Sequence, residues 1–97
     1  MPNYISLCRW TSAGTEKLKD SPTRLDAAKK TFADSGVKIL NFYMTMGKYD
    51  MVIVFDAPSD EALAKAMLAM LAKGSITAHT SRAFNEDEYR KIFGSLS

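Results

Sequence analysis

Four stretches of the chain, residues 3–11, 37–46, 50–57 and 75–84, are rich in β-branched and aromatic side chains, and each reads as a strand. Between the first two, Leu25, Ala28, Phe32 and Ala33 recur at helical spacing. Ser21 stands there as N-cap, Pro22 at the first helical position and Gly36 as the stop. A second helix is expected over about 60–73, capped by Ser59, with Asp60 and Glu61 in the turn where the helix dipole favours acids. It carries Leu63, Met67, Met70 and Leu71 among alanines, so it is apolar nearly all round and calls for more than one neighbour. Asn85 and Glu88 have capping-box spacing and open a short C-terminal helix. The "GKY" between the second and third strands is short enough for a hairpin, with Gly47 taking the backbone angle that tight loops demand. The order βαββαβ predicts an α+β fold, the ferredoxin-like split βαβ, with a four-stranded antiparallel sheet in one domain over residues 1–97.

In that plan both helices cover one face of the sheet and leave the other open. Alternation sorts each strand into two rows. Leu40, Phe42 and Met44 are expected beneath the helices, with Asn41, Tyr43 and Thr45 opposite. The first strand offers Tyr4, Ser6, Cys8 and Trp10 to the open face against Ile5 and Leu7, and the fourth offers Thr77, His79 and Ser81 against Ile76 and Ala78. The third strand is apolar in both rows, Met51, Ile53 and Phe55 against Val52 and Val54. The expected open face therefore holds rings, hydroxyls, a thiol and an imidazole without a formal charge. Such a surface belongs to an interface or a ligand cavity rather than to bulk water. A second copy of the chain is the expected cover, and residues 85–97 are the alternative. Two such faces hide roughly 600 Å² when paired, from the ~4.8 Å spacing of strands ~5 residues long, so edge contacts must add to the pairing.

The net charge of +2 and the interspersed acids and bases of "EKLKDSPTRLDAAKK" describe solvated helix surface and not a nucleic-acid stripe. No apolar run reaches the ~20 residues of a membrane span, and the start has no signal-peptide pattern. A single cysteine forms no intrachain disulfide, which sets the expected compartment as the cytoplasm.

Candidate chemistry is sparse. Gly47, Tyr49 and Asp50 form the sharpest local pattern: Asp50 can take a proton or anchor an amine and Tyr49 can donate to a substrate, but turn formation asks for the same residue types. His79, the one histidine, is the candidate catalytic residue, since its ordinary pKa lies near neutrality, and Tyr43 is its expected neighbour. The ligand-binding candidates are Tyr43, His79, Trp10, Tyr49, Asp50 and Gly47. Zinc needs three or four convergent ligands, and Cys8 with His79 supplies two, so no metal and no cofactor are expected. Cys8 also lacks an activating base. Met44, Met46 and Met51 read as core filler or as an adaptable ligand surface.

"YISLCRWT", "KDSPTRLDAAKK", "FYMTMGKYDMV" and "RAFNEDEYRKI" together resemble the GYD domain family over about residues 3–94, with the Gly-x-Tyr-Asp at Gly47, Tyr49 and Asp50. The resemblance implies a ferredoxin-like fold of mostly bacterial proteins that pairs through its sheets as a dimeric α/β barrel, and it brings no catalytic residues with it. Gly36 stands alone where relatives often have two glycines, and Cys8 lies outside the motif. "MTMGKYDMVIV" is also similar to a hairpin of the effector-binding domains of Lrp/AsnC regulators, which bind amino acids between subunits. No DNA-binding segment precedes it here, which tells against a regulatory role and leaves a stand-alone effector sensor as what the likeness still allows. The expected function is a homo-oligomer holding a small molecule between its sheets. The alternatives are a dimeric-barrel enzyme, isomerase or monooxygenase-like, using His79 and Tyr43, and a structural or partner-binding subunit.

Overall fold

The computed structural model describes residues 1–96. Its four strands are β1 (Asn3–Trp10), β2 (Lys38–Met44), β3 (Met51–Asp56) and β4 (Ile76–Ala83). They form one antiparallel sheet in the order β2-β3-β1-β4. The helices are α1 (Ser12–Glu16), α2 (Ser21–Asp34), α3 (Asp60–Leu71) and α4 (Glu86–Gly94), with a 3-10 turn at Leu18–Asp20. This is the ferredoxin-like arrangement. α1 and the 3-10 turn are additions to the expected order, and they fill the path from β1 to α2. Thr11 caps α1 by accepting from the Gly14 N–H at 3.2 Å, while its own hydroxyl donates to the Gly74 carbonyl at 2.5 Å. Gly14 sits where a Cβ would clash with the Ser75 carbonyl oxygen, so only glycine lets the two backbones approach this closely.

The other helix ends follow their caps in part. Ser59 accepts from the Ala62 N–H, and Asn85 with Glu88 closes a full capping box. α2 differs from expectation: Ser21 is its first residue, Asp20 holds the cap position, and no side chain caps the end.

α2 and α3 lie side by side on one face of the sheet. Beneath them are Tyr4, Ser6 and Cys8 from β1, Met51, Ile53 and Phe55 from β3, and Ile76 from β4, all buried. Phe32 of α2 stacks on Phe55 with ring centroids 4.8 Å apart, and neither is exposed at all. The first strand is therefore turned over relative to the sequence-based rows. Tyr4, Ser6, Cys8 and Trp10 face the helices, and Ile5, Leu7 and Arg9 face outward. A buried hydroxyl needs a partner, and these find theirs inside. Ser6 Oγ and Thr80 Oγ1 share a hydrogen bond of 2.7 Å, and the Tyr4 hydroxyl donates to Asp60. A bulge between Ile39 and Asn41 also shifts β2, so Ile39 packs on the core and Leu40 is left exposed.

Candidate functional site

The outward face of the sheet is built in straight rows. Pairing aligns Tyr43, Val52, Leu7 and His79 across β2, β3, β1 and β4, and beside them Asn41, Val54, Ile5 and Ser81. The centre is therefore four aliphatic side chains, Ile5, Leu7, Val52 and Val54, flanked by Tyr43 on one edge and by Thr77, His79 and Ser81 on the other. The face is not free of charge as expected: Arg9 stands at one end, and Lys38 and Asp56 at the other. An apolar centre within a polar rim is the anatomy of an interface. No helix of the described residues covers it, and Tyr43 is 57% and Ile5 37% exposed while Leu7, Val52 and Val54 are half-buried. Of the alternative cover, residues 85–97, the described part, 85–96, does not lie on it. None of α4's residues is buried, and α4 packs extensively on no other element.

The Gly-x-Tyr-Asp hairpin divides its labour. Gly47, at φ +132°, turns the chain. The Asp50 carboxylate accepts the Trp10 N–H at 3.0 Å, its N–H donates to the Cys8 carbonyl, and its carbonyl accepts from Thr45. Both ends of Asp50 are thus spent on tying the hairpin to the end of β1, which is turn chemistry and not substrate chemistry. Tyr49 crosses the outward face and meets His79 edge to face, with centroids 6.0 Å apart. Tyr49 is therefore the aromatic neighbour of His79. Tyr43 lies three strands away on the opposite edge, ~14 Å at ~4.8 Å per strand, so Tyr43 and His79 of one chain cannot act on one atom.

Trp10 is on the other side of the sheet from its expected place. It lines a cavity of about 370 Å³ between α2, the end of α3 and the sheet, with Leu18, Arg24, Leu25, Phe42, Met44, Met51, Met70 and Ile76. Of the three methionines read as a group, Met44 and Met51 line this void and Met46 stands 95% exposed at the hairpin. A second cavity of about 300 Å³ lies between α3 and β4, lined by Tyr4, Asp60, Thr80 and Arg82 among others. The hydrogen bond to Asp60 raises the Tyr4 pKa. Arg82 bridges from this cavity to α4, donating to Glu88 at 3.2 Å and lying over the Phe84 ring. The backbone N–H of Asn85 and the Arg82 guanidinium together hold the Glu88 carboxyl below its usual range. Neither cavity was legible from residue spacing, because each is lined by residues that only the packing of helices on the sheet brings together, Leu18 and Arg24 with Met44 and Ile76 in the first and Asp60 with Thr80 and Arg82 in the second.

Cys8 is fully buried, and burial pushes its thiol up to about 11 from an ordinary value near 9. A protonated, inaccessible thiol is no nucleophile. We expect no reaction with a disulfide reagent at pH 8 until the protein is unfolded. Because the folded pKa is the higher one, Cys8's contribution to stability is whole below pH 9 and is lost as pH rises towards 11. Urea titrations at pH 8 and pH 10.5 on the wild type and Cys8→Ala would read that loss as a difference between the two proteins. Among the described residues no group of three or more His, Cys, Asp or Glu could hold a metal ion, and no helix is long and apolar enough to cross a membrane.

The profile of the GYD domain matches residues 4–93. A Thermus thermophilus protein named as a glutamine synthetase and cystathionine beta-lyase binding protein is 33% identical over 84 residues, covering 86% of this chain and 88% of its own length. Among solved structures, the feast or famine regulatory protein of M. tuberculosis complexed with L-methionine superposes with a TM-score of 0.65 at 13% identity, over 88% of this chain. The chain spans about half of that protein, 51%. TTHA0845 from Thermus thermophilus superposes at a TM-score of 0.56 and 20% identity, over 88% of this chain and 95% of its own. At these identities the two solved structures speak for the fold alone.

Proposed function

This chain belongs to the GYD domain family, and from that premise we propose that it is a non-catalytic binding module, a homodimer joined through its outward sheet faces that holds a protein partner. The observation that carries the reading is the aliphatic patch of Ile5, Leu7, Val52 and Val54, over which the described residues lay no helix and which Tyr49 alone crosses at one end, leaving Ile5 exposed and the other three half-buried. Paired faces hide roughly 600 Å² by strand spacing, short of the ~1,200–2,000 Å² of stable complexes. α4 supplies the remainder. Its Tyr89, Ile92 and Phe93 are 52%, 43% and 56% exposed and form one stripe, with Tyr89 and Phe93 stacked at 4.6 Å. Laying two such arms on two bodies brings the total to roughly 1,400 Å², counting the half-exposed aromatics and the surface they cover.

Partner binding is supported by the relative named for its two enzyme partners. The test mixes the purified chain with glutamine synthetase and with cystathionine β-lyase of its own host and follows both by sedimentation. Co-sedimentation of either enzyme with the chain is expected. Independent sedimentation of both contradicts the partner reading and leaves the dimer standing.

The small-molecule reading keeps one geometric support. A two-fold axis along the strands lays each β2 edge over the other copy's β4 edge. Tyr43 and His79 occupy one row, so each Tyr43 then faces the other copy's His79 with Tyr49 alongside. A ligand at that margin would touch all three.

A further inference from the structure

We propose that the cavity on the helical side of the sheet is a binding site for an apolar molecule carrying a single carboxylate. The void of about 370 Å³ falls within the ~300–1,000 Å³ of small-molecule sites. Its rim is exposed, Leu18 at 45% and Met44 at 69%, so the space is open to solvent and not sealed in the core. Its wall is aromatic and thioether in character, and methionines adapt their shape to an irregular guest.

Arg24 makes the ligand an acid. From the first turns of α2 it donates through its two terminal nitrogens to the carbonyls of Lys17 at 3.0 Å and Gly14 at 3.1 Å. Those bonds fix the plane of the guanidinium against the cavity wall. Among the described residues no carboxylate lies within ion-pair distance of it. A guanidinium has five N–H donors in a fork that matches a carboxylate. Two of its nitrogens are anchored, the charge is half-buried, and its counterion is missing. A neutral apolar guest would leave that charge unpaired and a cationic one would be repelled.

The sole tryptophan, Trp10, lines the cavity and reports on it directly. Its emission would be followed while decanoate, decan-1-ol or decylammonium is added below micellar concentration. We expect saturable change with decanoate, tighter than with decan-1-ol by about ten- to a hundredfold, the range of a charge-assisted hydrogen bond, with decylammonium weakest. Arg24→Gln brings decanoate down to the affinity of decan-1-ol and leaves the alcohol unchanged, which also shows that the variant is folded. Met70→Phe fills the void and weakens all three. The site lies within one chain, so a variant monomeric by substitution on the outward face binds decanoate as the wild type does. Equal affinity for acid and alcohol overturns the proposal. So does the absence of any saturable change, including the case in which the second copy's α4 occupies the void.

Discussion

Leu7→Asp is expected to convert the proposed dimer to a monomer. Leu7 sits at the centre of the outward face between Val52 and His79 in its row, and a two-fold pairing buries it twice. Each buried carboxylate without a partner costs about 2 kcal/mol or more, so the dissociation constant rises by roughly a thousandfold or beyond. Little in the folded subunit changes, because Leu7 points away from the core. Analytical ultracentrifugation of the variant should give the mass of one chain at concentrations where the wild type gives two, with an unaltered circular dichroism spectrum. A variant that stays dimeric places the interface elsewhere. The same change at Thr77, on the rim, should weaken pairing far less, since a rim charge keeps much of its water.

The second large effect is on folding. Phe55→Ala removes a ring that is 0% exposed and packed on an equally buried Phe32. Truncations of this kind cost about 4 kcal/mol, the lost transfer energy together with the hole left behind. Domains of this size have ~5–15 kcal/mol in total, so the variant is expected to be marginal, with Tm lower by ~20 °C. Thermal unfolding of variant and wild type at one protein concentration measures it, since the Tm of a pairing protein depends on that concentration. A loss under ~1 kcal/mol would mean that the centre of the core has been misplaced.

The two effects separate the layers of this molecule, and the sequence speaks differently about each. Strand and helix order was legible because apolar spacing changes sharply at Gly36, Ser59, Gly74 and Asn85. The faces of β2 and β4 were largely legible too, because one row in each is plainly more polar. β1 was not. Tyr4, Ser6, Cys8 and Trp10 compete with Ile5 and Leu7, and neither row is polar enough to choose. The choice is made by partners far along the chain, Asp60 for Tyr4 and Thr80 for Ser6, which spacing does not reveal. Turning β1 over strengthened the expectation of an interface, since it exchanged hydroxyls for aliphatics at the centre of the outward face. It also moved Trp10 from the expected ligand surface to a cavity that the sequence did not foretell.

The hairpin teaches a similar lesson. Gly47 and Asp50 explain themselves as turn and tether. Tyr49 does not, because its ring is spent on neither and lies instead against His79. Of the residues singled out for chemistry, that pair is the one whose two side chains meet within one chain, since Asp50 reaches Trp10 only at its backbone N–H. In the proposed pairing it is Tyr43 of the other copy that joins that pair.

Sedimentation equilibrium of the wild-type protein at micromolar concentration tests the central claim most directly. Self-association through the aliphatic sheet face predicts a species of twice 10.8 kDa that dissociates on dilution and is abolished by Leu7→Asp. A single species of 10.8 kDa that persists to millimolar concentration would contradict it.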